Sequence, residues 1–238
     1  MYRFSFVHPT TIVLAGPTQC GKTHFLVTAI LDRRFRPEPQ RIVWIYGEWQ
    51  QVYEELAQQL PHIQFVKGFT TELYDTFDPK TRNLLILDDQ MENKAAHRRG
   101  ENAVVKFFTQ GSHHRNLTVV YIVQNLFNQD RSMRTISLNT HYMLLFKNPR
   151  DATQIRTLGY QMYPENARLL TEAYRDATSK PYGYLLVNLR PDACDALRLQ
   201  SDVFAEQPTA YVPLASSSTA CSIKGLTIPP RNPSSTSQ

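Results

Sequence analysis

The residues from Gly16 to Thr23 carry the clearest chemical signal in this sequence. They follow the apolar run 11–15 and form a G-x-x-x-x-G-K-T pattern. Between a strand and a helix, this pattern forms a loop whose backbone N–H groups converge on phosphate oxygens. Lys22 can reach the β- and γ-phosphates, and the Thr23 hydroxyl can ligate Mg²⁺. The pattern predicts a binding site for a nucleoside triphosphate, formed by Gly16, Pro17, Thr18, Gln19, Cys20, Gly21, Lys22 and Thr23.

Two acidic residues follow the apolar run 84–87. Mg²⁺ bound to a triphosphate takes carboxylate oxygens as ligands, and an acid at a strand end can supply one. We therefore predict Asp88 as the metal ligand. Asp89 is then placed to orient or deprotonate the attacking water. Glu92 stays open as an alternative base, and Glu48, just after the run 41–46, as a further one.

The apolar run 118–123 has a candidate catalytic residue at each end. Gln124 follows it, and its amide could bridge the γ-phosphate or the lytic water to the acidic strand. Arg115 precedes it, and a guanidinium supplied by a neighbouring subunit could neutralise charge on the γ-phosphoryl group. Arg98 and Arg99 are alternatives for that role. Arg115 could instead be a surface residue or contact a DNA backbone.

The elements that must position these residues alternate along the chain. Such alternation predicts an α/β fold, in which a mostly parallel sheet carries helices on both faces and binds ligands at the carboxyl ends of its strands. The run 118–123 would add a strand between the phosphate-loop strand and the acidic strand. Strands are predicted at 11–15, 41–46, 63–66, 84–87, 118–123, 141–146 and 184–189, and helices at 21–31, 50–60, 103–110, 151–159 and 165–177.

The composition changes near residue 205. Residues 1–205 read as one folded domain, whereas residues 206–238 are rich in Pro and Ser and are predicted to be disordered. We expect no membrane span and no signal peptide. The three cysteines are scattered, which predicts neither a disulfide framework nor a zinc site and favours an intracellular protein.

Positive charge is concentrated in one part of the chain. The net charge is +5, yet the segment from Arg98 to Arg156 alone has nine basic residues and three acidic ones. Such a segment is typical of a surface that binds a polyanion such as nucleic acid. Scattered, solvated charge is the equal alternative.

The sequence resembles FtsK–HerA-type ATPases. It is most similar to the genome-packaging ATPases of Polinton/Maverick and adintovirus-like elements and of related large DNA viruses. The resemblance covers about residues 8–190 and depends on a combination of motifs. These are Gly16–Thr23, Leu84–Asp89, His114–Asn116 leading through the next strand to Gln124–Asn125, and Phe146–Asp151.

That resemblance implies a RecA-like core, a homo-oligomeric ring, and hydrolysis of ATP with Mg²⁺. It also implies translocation of double-stranded DNA into a preformed capsid, a capsid vertex protein as a further partner, and a location at an assembly site in the host cell or in the virion. Many members carry Asp-Glu where this chain has Asp88-Asp89. The shorter Asp89 side chain reaches about one methylene less far, so the base stays open between Asp89 and Glu92.

Two other function classes remain open from the residues alone. A small-molecule kinase shares the phosphate loop, although it would need a lid and a substrate pocket. A non-hydrolysing, nucleotide-gated adaptor would bind ATP and organise partners without turnover. Phosphorylation of an acceptor would support the kinase, and tight ATP binding without hydrolysis would support the adaptor.

Overall fold

The computed structural model describes residues 3–68, 71–88, 104–125 and 131–213 of the chain. Its strands are β1 (Phe6–Val7), β2 (Thr11–Ala15), β3 (Phe35–Arg36), β4 (Arg41–Tyr46), β5 (Ile63–Lys67), β6 (Asn83–Asp88), β7 (Leu117–Val123), β8 (Tyr142–Phe146), β9 (Tyr184–Asn188), β10 (Leu199–Ser201) and β11 (Thr209–Ala210). Its α-helices are α1 (Lys22–Leu31), α2 (Gln51–Gln59), α3 (Ser112–His114), α4 (Arg131–Leu138), α5 (Ala152–Met162) and α6 (Arg168–Ala177).

The main sheet has nine strands in the described part of the chain, in the order β11-β10-β9-β8-β2-β7-β6-β4-β5. The six strands from β8 to β5 pair in parallel. The strands β9, β10 and β11 extend one side of the sheet by antiparallel pairing. Because β7 lies between β2 and β6, the predicted α/β fold with an extra strand between the two nucleotide motifs is confirmed.

Helices cover both faces of this sheet. Every residue of β2, β6, β7 and β8 is buried, as expected for parallel strands whose two faces are both covered. Alternate residues of β2 enter different cores: Val13 packs with residues of α5 and α6, and Leu14 with residues of α1 and α2. The short parallel pair β1–β3 adds Phe6 and Phe35 to the second core.

The predicted helix 103–110 differs in its geometry. Residues Phe107–Gly111 form a π-helix that continues into the short α3. A Cβ atom at Gly111 would lie only 3.2 Å from a Leu117 methyl carbon. The close packing of this helix against β7 therefore favours a small residue at position 111.

The fold continues beyond the predicted boundary at residue 205. The strand β11 pairs with β10, and the Tyr211 hydroxyl donates to Asp176 at 2.7 Å. Residues 206–213 thus belong to the fold, and residues 214–238 lie outside the described ranges. Cys194 is disulfide-bonded, a bond that the scattered cysteines did not predict, whereas Cys20 is a free thiol.

A search of the described helices finds none that is both long and apolar enough to cross a membrane.

Candidate active site at the carboxyl edge of the sheet

Two glycines give the phosphate loop its shape. A Cβ atom at Gly16 would lie 2.7 Å from Phe146 Cβ and 2.8 Å from Cys20 Sγ, so no larger residue fits there. Gly21 has a φ of 101°, in the left-handed region that favours glycine. The Gly16 N–H donates to the Val123 carbonyl of β7 at 3.2 Å, which anchors the start of the loop to the neighbouring strand.

The Lys22 ammonium is held inside the loop. Its side chain is buried, and Nζ donates to the Gly16 carbonyl at 2.6 Å and to the Pro17 carbonyl at 2.8 Å. It also lies 3.7 Å from Cys20 Sγ. Burial raises the pKa of the Cys20 thiol, and the nearby Lys22 only partly opposes this, so the thiol stays protonated at neutral pH. The loop therefore presents a fixed positive charge and no reactive thiolate.

Asp88 ends β6 at the same edge of the sheet. Only 3% of its surface is exposed, and Oδ2 accepts a hydrogen bond of 2.7 Å from the Tyr53 hydroxyl of α2. A hydrogen bond to a carboxylate favours its charged form and fixes its orientation. Asp88 is thus a buried acceptor whose direction is set by a neighbouring helix, which suits a metal ligand.

The sequence reasoning missed Tyr53. In the sequence, Val52, Leu56 and Leu60 have the spacing of one apolar helix face. A tyrosine that is buried beside such a face needs a partner for its hydroxyl. That requirement was the available signal. The acid at the end of β6, which pairs with β4 in parallel, was a suitable partner.

Aromatic rings pack around the Tyr53 ring. The centre of the Tyr53 ring lies 5.2 Å from the centre of the Trp44 ring, 5.3 Å from that of Phe65 and 5.5 Å from that of Trp49. Trp44 and Tyr53 are fully buried, whereas Trp49 is 46% exposed. Apolar walls of this kind lower the local dielectric, which strengthens the electrostatic interactions of Asp88.

Gln124 directly follows β7 and is exposed. The register pairs Ala15 with Val123, and Asp88 with Ile122, so the ends of β2, β7 and β6 lie side by side. The structure therefore brings Gln124 between the phosphate loop and Asp88. Lys22, Thr23, Gln124 and Asp88 share one edge of the sheet.

Arg115 lies at the opposite, amino edge. It precedes the seven residues of β7, which at ~3.3 Å per residue span roughly 20 Å. Its guanidinium donates to Asp75 at 3.1 Å and to the Phe77 carbonyl at 3.4 Å, and lies 5.1 Å from the centre of the Tyr74 ring. The structure thus does not bring Arg115 to the phosphate loop of its own chain.

Several predicted residues cannot be placed. Asp89, Glu92, Arg98 and Arg99 lie outside the described ranges. Glu48 is exposed, just beyond the end of β4 at the carboxyl edge.

The segment after β8 supports the phosphate loop from the other side. The Tyr174 hydroxyl donates to the Phe146 carbonyl at 2.9 Å and accepts from the Asn148 N–H at 2.8 Å. The Asn148 side chain donates to Asp151 at 2.8 Å. Burial raises the pKa of Asp151, whose other oxygen has no hydrogen-bond partner. This network fixes Phe146, the residue that contacts Gly16.

The donors present fit a triphosphate with Mg²⁺. Glycines open the loop, Lys22 carries a cation, and Thr23 and Asp88 carry oxygen atoms of the kind that Mg²⁺ binds. Mg²⁺ typically takes one or two protein oxygens together with phosphate oxygens, so it needs no cluster of acids. The described residues hold no group of three His, Cys, Asp or Glu side chains that could bind a metal by itself.

No protein-family model matches the sequence, and no curated protein matches it either. Solved structures do resemble the fold. The genome packaging NTPase B204 from Sulfolobus turreted icosahedral virus 2, in complex with sulfate, matches with a TM-score of 0.50 at 12% identity, covering 87% of this chain and 97% of that chain. B204, the DNA-packaging ATPase from Sulfolobus turreted icosahedral virus, matches with a TM-score of 0.50 at 11% identity, covering 87% and 98%. At this identity the likeness concerns the fold, and the predicted resemblance to viral packaging ATPases is confirmed at that level.

Proposed function

We propose that this chain hydrolyses ATP with Mg²⁺ and uses the energy to translocate double-stranded DNA, packaging a viral genome into a capsid. One observation carries the proposal. Three adjacent parallel strands carry the candidate residues at their carboxyl ends. β2 leads through the phosphate loop to Lys22 and Thr23, β7 is followed by Gln124, and β6 ends in Asp88. A cation, an amide and a buried carboxylate in one row are the parts that phosphoryl transfer to water requires.

Each residue of this row has a separate task in the proposal. The loop N–H groups and the Lys22 ammonium bind and orient the phosphates. Thr23 and Asp88 hold Mg²⁺, which supplies neutralisation of phosphate charge when it is bound. Tyr53 keeps Asp88 oriented toward this task. Gln124 orients the attacking water, and Asp89 or Glu92 accepts its proton.

The charge distribution supports DNA as the partner. The described residues 104–125 and 131–156 hold a single acidic residue, Asp151, which is buried. Five basic residues of these ranges are exposed, and the helices among them pack on one face of the sheet. Exposed cations in segments that expose no acid of their own favour contact with the phosphate backbone of DNA without regard to sequence. The five are Lys106, Arg134, Lys147, Arg150 and Arg156.

A ring of identical subunits completes the proposal. Because Arg115 lies at the edge opposite its own phosphate loop, it can act in catalysis only at the site of another subunit. A neighbouring subunit that docks its amino edge near the carboxyl edge of the first would supply Arg115 there. The solved structures of similar fold belong to genome-packaging NTPases, which supports packaging as the function. In the proposal, the ring acts at a capsid vertex in an infected cell.

ATP turnover measured with and without double-stranded DNA, on protein of known particle mass, tests the proposal. We expect an oligomer whose ATPase rate rises with DNA and falls again at high salt. Asp88→Asn should abolish turnover while ATP binding persists, and Glu165→Gln, which changes an exposed acid away from the row, should behave as wild type. An assembled protein whose turnover DNA leaves unchanged would refute translocation. A phosphorylated small-molecule acceptor would indicate a kinase instead.

A further inference from the structure

Tyr182 adopts a backbone conformation that its residue type disfavours. Its φ is 60°, in the left-handed region, where a side chain crowds the adjacent carbonyl. The Gly183 N–H donates to the Lys180 carbonyl at 3.1 Å, which closes a β-turn with Pro181 and Tyr182 at its centre. Proline followed by a positive φ matches a type II turn, whose third position favours glycine or asparagine. The turn itself therefore does not account for a tyrosine.

Packing within the chain does not offset this strain. The Tyr182 side chain is 72% exposed, so most of its aromatic surface stays in water. Burial of a small fraction of a ring returns little free energy. Residues held in unfavourable backbone conformations cluster at functional sites, where the strain is compensated by a role in function.

The turn places this ring against the phosphate loop. A Cβ atom built at Gly21 would lie 3.2 Å from Tyr182 Cδ1 and 3.4 Å from Tyr182 Cβ. The register pairs Tyr184 with Phe146, so the turn lies at the carboxyl edge of the sheet, beside the row of candidate catalytic residues. Gly21 is the residue before Lys22, at the start of α1.

We propose that Tyr182 provides the stacking surface for the nucleobase of the bound triphosphate. The proposal rests on the proposed function of the loop as a triphosphate site. When the loop holds the phosphates, the nucleoside extends from them along one side of the site, and the exposed ring of Tyr182 forms part of that side. Aromatic rings stack on any base because every base has a π-face. The contact therefore recognises the presence of a base more than its identity.

Calorimetric binding of two probes, ATP and inorganic tripolyphosphate, each with Mg²⁺, tests the proposal on the full chain. Tyr182→Asn removes the ring and keeps a residue that tolerates the positive φ. We expect this variant to bind ATP about tenfold more weakly and to bind tripolyphosphate as wild type does. Tyr182→Phe should bind both probes within about twofold of wild type, because it keeps the stacking surface.

A matched control uses Tyr160, another exposed tyrosine, which lies in the last turn of α5. Tyr160→Ala should leave the binding of both probes unchanged. If Tyr182→Asn weakens both probes equally, the turn shapes the loop and the stacking proposal is wrong. If its affinity for ATP is unchanged, the proposal is also wrong. A wild-type chain that binds neither probe would instead refute the triphosphate site itself.

Discussion

At the carboxyl edge of the sheet, a buried cation and a buried carboxylate lie at the ends of neighbouring strands. At the amino edge, polar side chains join segments that are distant along the chain. Lys22 donates to two loop carbonyls at the first edge, and Asp88 accepts from Tyr53. At the second edge, the Asn83 amide donates to the carbonyls of Asp78, Thr81 and Arg115 at 2.9, 2.7 and 3.1 Å.

The amino edge also holds a buried histidine. His8 Nδ1 lies 2.7 Å from Thr118 Oγ1, and His8 Nε2 lies 3.0 Å from Asn116 Oδ1. These bonds join the chain before β2 to the start of β7. The amino edge thus uses polar groups to connect elements, and the carboxyl edge uses them to preorganise a site. Arg115 belongs to the amino edge by position, while the ring proposal gives it a catalytic task at another subunit.

Lys22→Ala should have the largest effect, since it removes the buried cation of the carboxyl edge. We expect turnover to fall by about a thousandfold, together with weaker ATP binding. ATPase rate and ATP affinity check this. Lys106→Ala, which removes an exposed cation near Tyr74, is the matched control and should keep wild-type ATP affinity. Near-wild-type turnover in Lys22→Ala would show that the active site does not lie at the carboxyl edge.

Arg115→Ala tests whether the amino edge has any catalytic task. We expect turnover to fall by about a thousandfold, and stability by no more than about 1 kcal/mol, because Asp75 is mostly exposed. Mixed rings should recover activity when Arg115→Ala subunits are combined with Lys22→Ala subunits, since one type keeps the loop and the other keeps the arginine.

Asp75→Asn is the control for Arg115. It breaks the same ion pair and leaves the guanidinium in place, so urea denaturation should show a similar loss of stability without the loss of turnover. Equal losses of turnover in Arg115→Ala and Asp75→Asn would make Arg115 a structural residue of the amino edge.

Tyr53→Phe should reduce turnover by about tenfold, because the hydrogen bond of a buried carboxylate is worth about 1.5–3 kcal/mol and part of this orients Asp88. The Mg²⁺ concentration needed for half-maximal turnover should rise. Tyr211→Phe removes a tyrosine–carboxylate bond of the same length, 2.7 Å, away from the phosphate loop, and should not change that Mg²⁺ dependence. An identical response of the two variants would count against a role for Tyr53 at the metal ligand.

The pH dependence of His8 should give the smallest effect and concerns stability alone. Burial lowers the pKa of His8 from 6.5, and its bond to Asn116 only partly opposes this. The unfolded chain therefore binds a proton more readily than the folded one. The stability that neutral His8 contributes is present above pH 6.5 and is lost as the pH falls below it.

Urea denaturation at pH 8 and pH 5.5 checks the prediction for His8. His8→Gln should show a weaker pH dependence than wild type, with no change in ATP affinity at either pH. A change in ATP affinity would mean that the two edges are coupled, against the division of roles described above.

Local patterns were sufficient for the strands that form the middle of the sheet. The predicted strand 84–87 lies within β6, and the predicted strand 118–123 lies within β7. A short, continuous apolar run between polar ends is typical of a parallel strand that is covered on both faces. The short β10 and β11 were missed. They contain three and two residues. Segments this short are too short to show the alternation of apolar and polar residues that distinguishes a strand from a loop.

By itself, the sequence determined the phosphate loop, the α/β fold and the row of strand-end residues, since each depends on neighbours along the chain and on the parallel direction of the strands. Only the tertiary structure decided which distant residues meet that row. Tyr53 contacts Asp88 because α2 packs on the sheet beside β6. Tyr182 contacts Gly21 because β9 pairs with β8. Arg115 lies at the far edge because β7 runs parallel to β2. These contacts depend on which elements are neighbours in space, which no local pattern of residues encodes.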